Sequence, residues 1–138
     1  MPKIDIAAAL DVRLMDRFFD NYVMTPQGAI VFESLRPADQ RDPFGVAQAR
    51  ALLDKAYAWL DGHMAGRAWA SGEAFSLADC AAAPALLYAD WTYPIPEALT
   101  NLRAYRARLL ARPSYARALD EARPYRPLFP LGAPTDRD

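Results

Sequence analysis

The stretch Gly72 to Leu86, GEAFSLADCAAAPAL, decides the fold of this 138-residue chain. Ser76 is followed three residues later by Asp79, which is the pattern of a capping box at the start of a helix. In such a box the serine side chain accepts a hydrogen bond from the aspartate amide, and the aspartate side chain accepts one from the serine amide. Phe75, just before the serine, is expected to pack on Cys80 as a hydrophobic staple. The stretch therefore predicts the start of a helix with two of its free amides capped.

The helix after this box, from Leu77 to about Trp91, is rich in alanine and is predicted to be central and buried on most sides. Elsewhere apolar residues recur at spacings of three and four, which predicts amphipathic helices, and no strand pattern or internal repeat occurs. The predicted fold class is therefore all-α, a helical bundle. The other predicted helices are one from near Asp5 that is interrupted at Pro26 and Gly28, one from Pro43 to Met64, one that ends near Ala111, and a short one from Pro113 to Ala122.

The chain is expected to divide into a linker remnant (residues 1–5), a helical domain (residues 6–122) and a proline-rich C-terminal tail (residues 123–138). Proline lacks the amide hydrogen that a regular helix requires, so the tail is predicted to be irregular. The prolines of the tail are Pro124, Pro127, Pro130 and Pro134.

Composition limits the class of protein. Hydrophobic residues make up 53% and charged residues 24%, which is ordinary for a folded domain. The apolar runs are too short to cross a membrane, and a single cysteine cannot form an intrachain disulfide, so a soluble cytoplasmic protein is expected. Residues 101–138 carry 8 basic and 4 acidic side chains, but the arginines follow a helix face without an aromatic stacking platform. We therefore expect no membrane and no nucleic-acid partner.

These features resemble the C-terminal, all-helical domain of the cytosolic glutathione S-transferase family. The family element G-x-x-F-S-x-A-D is present at residues 72–79, and the run Cys80 to Leu86 is similar to that of many bacterial members. Ala111 to Ser114 resembles the A-R-P-S joint between the last two long helices of the family. The resemblance extends from about Ile6 to Phe129.

The family's glutathione site and catalytic Ser, Tyr or Cys lie in an N-terminal thioredoxin-like domain, whose pattern is not present before Ile6. The resemblance therefore implies that this chain alone has no catalytic residue, binds no cofactor and is inactive. The complete form is expected to conjugate glutathione, its co-substrate, to an apolar electrophile. Whether the chain is a natural stand-alone domain or a fragment stays open.

The resemblance also implies a substrate pocket and partners. Relatives line an apolar pocket with the first helix, the central helix and the tail, and dimerise through the first two helices. A homodimer, or a thioredoxin-like domain as partner, is therefore expected. The residues expected to bind the apolar small-molecule electrophile are Phe19, Tyr22, Trp91 and Phe129.

The remaining reactive side chains are interpreted structurally. Ser76 and Asp79 are expected to cap the helix, since no histidine lies nearby in sequence to activate a nucleophile. Cys80 is expected to be a small buried apolar side chain, and His63 a surface residue in the last turn of a helix. One histidine and one cysteine cannot form a closed zinc site, so no metal is expected.

An alternative from another class of protein is a non-catalytic, stand-alone interaction or ligand-binding module with the same fold. Helical domains of this type have such roles in some translation-associated proteins, and fold alone does not fix function.

Overall fold

A computed structural model describes residues 5–138, and the helices of this part confirm the predicted all-α class. Apart from one isolated bridge between Trp69 and Gly72, these residues form no β-structure. The α-helices are α1 (Ile6–Phe18), α2 (Thr25–Ser34), α3 (Pro43–Met64), α4 (Leu77–Thr92), α5 (Thr100–Ala111) and α6 (Pro113–Ala122). Three short segments connect or extend them: a π-helical segment (Phe19–Met24) between α1 and α2, a 3-10 turn (Ala38–Gln40) before α3, and a 3-10 helix (Arg123–Leu128) after α6.

Local capping explains where α1 and α3 begin. The Asp5 side chain accepts a hydrogen bond from the Ala8 amide at 3.1 Å. Asp42 accepts one from the Gly45 amide at 3.0 Å, and Pro43 occupies the first turn, where its missing amide hydrogen costs least. The predicted bounds of α3 are confirmed.

The predicted interruption at Pro26 and Gly28 is wrong, because the chain stays helical from α1 through α2. A wider π-helical turn precedes Pro26, and in it both the amide and the hydroxyl of Thr25 donate to the carbonyl of Asp20, the hydroxyl at 2.9 Å. Pro26 then lies in the first turn of α2, where proline is tolerated. The extra residue of the π turn removes the conflict that a regular helix would have with proline.

The core surrounds α4, which packs against α1, the π-helical segment, α2 and α5. Most side chains that α4 buries are alanines, so the neighbouring helices approach closely, and larger residues of those helices fill the remaining space. The predicted central position of this helix is confirmed. The largest fully buried apolar side chains are Tyr57, Tyr105, Phe19, Met15, Leu53, Leu60, Leu86, Ile95, Leu102, Leu109 and Val23.

The tail is more ordered than the sequence predicts. Residues 123–128 form a 3-10 helix although Pro127 lies inside it, and Pro124 lies in its first turn, where the missing amide hydrogen costs least. The chain then turns back, so that Arg137 contacts Asp90 on α4. No helix described for residues 5–138 is both long and apolar enough to cross a membrane.

Candidate functional site

A cavity of about 510 Å³ lies between α4, α6 and the tail. Its volume is within the range of small-molecule sites, and its lining is mostly apolar. The residues that line it are Pro84, Leu87, Tyr88, Trp91, Tyr115, Ala118, Leu119, Ala122, Tyr125, Arg126, Leu128, Phe129 and Pro130.

Three aromatic rings form one wall of this cavity. Tyr88 and Trp91 lie three residues apart on α4, and the tail brings Phe129 against both. The ring centres are 5.4 Å apart for Tyr88 and Trp91, 5.8 Å for Tyr88 and Phe129, and 5.4 Å for Trp91 and Phe129. The indole Nε1 of Trp91 is buried and has no hydrogen-bond partner among the described residues. The wall therefore offers aromatic surface to a ligand.

The side chains with which α6 lines the cavity carry no charge at neutral pH. Burial raises the pKa of Tyr115 to about 12, so its phenol is protonated at neutral pH. Leu119 from the same helix adds apolar surface. Apart from Arg126, the lining therefore fits an apolar ligand.

The predicted pocket residues fall into three different environments. Trp91 and Phe129 meet in the cavity, as described. Phe19 does not line it, because it is fully buried in the core, with its ring centre 6.4 Å from that of Tyr105. Tyr22 also lies away from the cavity and is 56% exposed on the outside of the bundle. Sequence periodicity did not separate Phe19 from Tyr22, since both belong to one wide apolar arc.

The outer surface around Tyr22 is a second aromatic cluster. The ring of Phe18 lies 5.2 Å from Tyr22 and 4.6 Å from Trp59 of α3, and Trp59 stacks on His63 at 4.8 Å. Trp59 is 48% exposed. We call these four residues the aromatic patch. It spans the end of α1 with the π-helical segment and the C-terminal part of α3, so it presents aromatic surface from the first two long helical segments together.

Charged residues at the edge of the cavity were not singled out from the sequence. The side chain of Asp138 lies between Arg123 and Arg126, and the Arg106 guanidinium donates to the Asp138 main-chain oxygen. Arg123 binds the Asp138 carboxylate through both terminal nitrogens, at 3.0 and 3.1 Å. We call the three arginines the arginine cluster. The surplus of basic residues in 101–138 was the only sequence signal for it.

The arginine cluster is continuous with the aromatic wall. The Arg126 guanidinium lies 5.2 Å from the ring centre of Trp91 and also lines the cavity. Hydrogen bonding from Arg123 is the main cause that holds the pKa of Asp138 below its ordinary value, and Arg126 adds to it. One side of the cavity thus carries positive charge, at present matched by Asp138.

The capping residues form a separate site at the other end of α4. Both halves of the Ser76 and Asp79 capping box are present, and Asp79 is fully buried. Its carboxylate accepts hydrogen bonds from the Ser76 amide at 2.9 Å, the Ala70 amide at 2.9 Å and the Tyr105 hydroxyl at 2.6 Å. Burial, and then the hydrogen bond to Asp79, raises the pKa of Tyr105. All these donors are consumed by the structure, which leaves none for a substrate.

Phe75 and Cys80 differ from the predicted staple. Phe75 packs edge-on against Trp69, with ring centres 5.1 Å apart, and the Arg112 guanidinium lies 3.7 Å from its ring centre. Cys80 is exposed, so the expectation that it is buried beneath Phe75 is wrong. Since Ala78 and Asp79 are the buried residues of this turn, the helix directs the next position toward solvent.

His63 is the remaining candidate that the sequence singles out. His63 lies in the last turn of α3, where its Nε2 is 2.7 Å from the carbonyl oxygen of Ala70. Within residues 5–138 no three His, Cys, Asp or Glu side chains are grouped as metal ligands.

Comparison with known proteins identifies the fold. Residues 43–108 match the family model of the glutathione S-transferase C-terminal domain. No curated protein matches the chain significantly in sequence. The predicted resemblance to this helical domain is confirmed by the family match and by the solved structures below.

Three solved structures share the fold. A glutathione S-transferase from Methylobacillus flagellatus KT with glutathione bound has a TM-score of 0.75 and 25% identity over 83% of this chain. One from Methylobacterium radiotolerans JCM 2831, in complex with glutathione sulfonate, has a TM-score of 0.69 and 26% identity over 85%. A glutathione S-transferase domain-containing protein from Marinobacter aquaeolei VT8 has a TM-score of 0.71 and 24% identity over 82% of this chain. The chain spans 58%, 55% and 58% of their respective lengths.

Proposed function

We propose that this chain is the helical half of a glutathione S-transferase-like protein whose complete form conjugates glutathione to an apolar electrophile. The cavity between α4, α6 and the tail is the electrophile pocket, with Trp91 and Phe129 as its main contacts. The observation that carries the proposal is the meeting of these two rings in a cavity of ligand size, on a fold shared with transferases that bind glutathione.

The glutathione site belongs, in this proposal, to a thioredoxin-like domain that the matched region does not contain. In the complete protein, the two halves then have different tasks in the conjugation reaction. The thioredoxin-like half stabilises the glutathione thiolate, and the helical half holds the apolar electrophile near it, which lowers the barrier through proximity. The helical half alone is inactive.

The aromatic patch is the proposed dimer contact. It combines exposed rings from the first two long helical segments, which is where the resemblance places the dimer interface of relatives. Phe18, Tyr22 and Trp59 lie close enough to be covered together by a partner copy. A cytoplasmic homodimer is therefore part of the proposal.

The pocket is tested with N-phenyl-1-naphthylamine, a neutral aromatic probe whose fluorescence rises in apolar sites. The parent chain should bind it. Trp91→Ala should weaken binding about tenfold, which is a loss of about 1.4 kcal/mol. Trp59→Ala is the matched control, because it removes a tryptophan of the aromatic patch and leaves the cavity lining unchanged. Equal probe affinity in the parent and in Trp91→Ala would contradict the pocket assignment.

The same two variants test the dimer with their roles exchanged, so that Trp59→Ala is the test and Trp91→Ala is the control. Sedimentation should give a dimer for the parent and for Trp91→Ala, and a shift toward monomer for Trp59→Ala. A monomeric parent at high concentration would overturn the dimer proposal without affecting the pocket.

Conjugation is tested by fusing the chain to the part of the Methylobacillus flagellatus transferase that this chain does not cover. The fusion should conjugate glutathione to a chloroaromatic electrophile, whereas the chain alone should show neither glutathione binding by calorimetry nor turnover. Turnover by the chain alone would contradict the division between two halves. An inactive fusion that still binds the probe would favour the alternative, a non-catalytic ligand-binding module.

A further inference from the structure

We propose that the cavity selects apolar ligands that carry an anionic group, such as a carboxylate or sulfonate, and that Arg123 and Arg126 bind this group in place of the Asp138 side chain. The inference rests on the proposed function of the cavity and names its ligand class. It assigns Arg123 and Arg126 as the head-group site and the aromatic wall as the site for the ligand body.

The first argument is the geometry of Asp138. Its carboxylate oxygens accept hydrogen bonds from both terminal nitrogens of Arg123, and one of them also from Arg126. Two parallel bonds from one guanidinium are the arrangement in which arginine recognises a planar anion. The side chain of Asp138 therefore occupies the position that the head group of a ligand would take.

The second argument is the position of the arginine cluster beside the cavity. Arg126 contributes to both, since it lines the cavity, lies over Trp91 and pairs with Asp138. A ligand whose ring contacts Trp91 and Phe129 would reach Arg126 with a short substituent. An anionic substituent at that place would bind arginines that neutral ligands leave unused.

The third argument is the balance of charge. Asp138 is the carboxylate that pairs with Arg126 among the described residues, while Arg123 also binds Asp120, and Arg106 and Arg137 both contact Asp90. Asp136 lies near Arg137. With Asp138 the network holds four arginines and four aspartates, and without it four arginines face three aspartates. Removal of the Asp138 side-chain charge therefore leaves Arg126 without a carboxylate partner among the described residues.

The fourth argument is that the present occupant is displaceable. The side chains of Arg123 and Asp138 are 47% and 37% exposed, so water screens their pairing. Exposed ion pairs contribute little to stability, and an anion anchored by its own apolar body can compete with such a pair. The tail thus acts as a weak internal competitor for the site.

The test compares two probes with nearly the same aromatic body. One is the neutral N-phenyl-1-naphthylamine, and the other is 1-anilinonaphthalene-8-sulfonate, which adds one sulfonate. Asp138→Asn should tighten binding of the sulfonate probe about fivefold, because the competing charge is gone, and Arg126→Gln should weaken it about tenfold. Neither change should move the affinity of the neutral probe by more than about twofold.

Arg117→Gln is the matched control, because it removes the same charge from an exposed position on α6 that does not line the cavity. It should leave both affinities unchanged. Added salt should weaken the binding of the sulfonate probe and leave the binding of the neutral probe unchanged.

The outcomes separate the two proposals. If the neutral probe binds and the sulfonate probe responds to neither Asp138→Asn nor Arg126→Gln, the head-group site is wrong and the apolar pocket stands. If neither probe binds the parent chain, the pocket itself is wrong, and the head-group site fails with it.

Discussion

Asp79 and Asp138 are both carboxylates that accept several hydrogen bonds, but their surroundings are opposite. Asp79 is fully buried, and its partners are neutral amides and hydroxyls. Asp138 is partly exposed, and its side-chain partners are arginines. The buried donors around Asp79 would have no water to bind if they lost the carboxylate, so this arrangement stabilises the fold. The arginines around Asp138 can bind water or another anion instead, so this arrangement can exchange Asp138 for a ligand.

The strongest test of this contrast is Asp79→Ala. The substitution leaves the amides of Ala70 and Ser76 and the hydroxyl of Tyr105 without their acceptor, so the free energy of unfolding should fall by about 4 kcal/mol. Such a loss is a large part of the stability of an ordinary domain. Urea unfolding followed by circular dichroism measures it. Asp136→Ala, at an exposed position, is the control and should leave the unfolding midpoint unchanged.

A milder test is Tyr105→Phe, which removes one donor and keeps the buried ring. The free energy of unfolding should fall by about 2 kcal/mol, because the lost hydrogen bond has a charged acceptor. Tyr125→Phe is the matched control at an exposed tyrosine. Equal losses in the two variants would show that the Asp79 contact contributes nothing specific.

Ser76→Ala should destabilise the chain by about 1 kcal/mol through loss of the N-cap, whereas Ser76→Gly should cost only a few tenths. Thermal unfolding of the two variants beside the parent gives this order. A Ser76→Ala variant as stable as the parent would contradict the capping role.

Asp138→Asn should have the smallest effect on stability, less than about 0.5 kcal/mol at neutral pH. Because the arginines depress the pKa of Asp138 in the folded chain, its contribution is present above the ordinary aspartate pKa of about 3.9 and is lost as pH falls through the folded value. Urea midpoints of parent and variant should therefore converge in acid. A loss as large as that of Asp79→Ala would remove the contrast between the two carboxylates.

Features that depend on neighbours in sequence were predictable. The helix bounds at Pro43 and Leu77 follow from caps that lie within one turn, so a single sequence contains both partners of each. The fold class followed in the same way, from the spacing of apolar residues along each helix.

Features that depend on distant partners were not predictable. Tyr105 lies 26 residues from Asp79, and Arg126 lies 35 residues after Trp91, so neither contact has a local signature. The π-helical segment adds a residue to one turn, which changes the faces that later positions present. Phe19 is therefore buried while Tyr22 is exposed, although periodicity placed both on one arc.

The exposure of Cys80 has a practical consequence. The chain has one cysteine, and it lies at the solvent-facing side of the first turn of α4. A maleimide dye would therefore attach at a single place without any engineering of the parent. Mixing donor-labelled and acceptor-labelled copies would then report subunit exchange by energy transfer in real time.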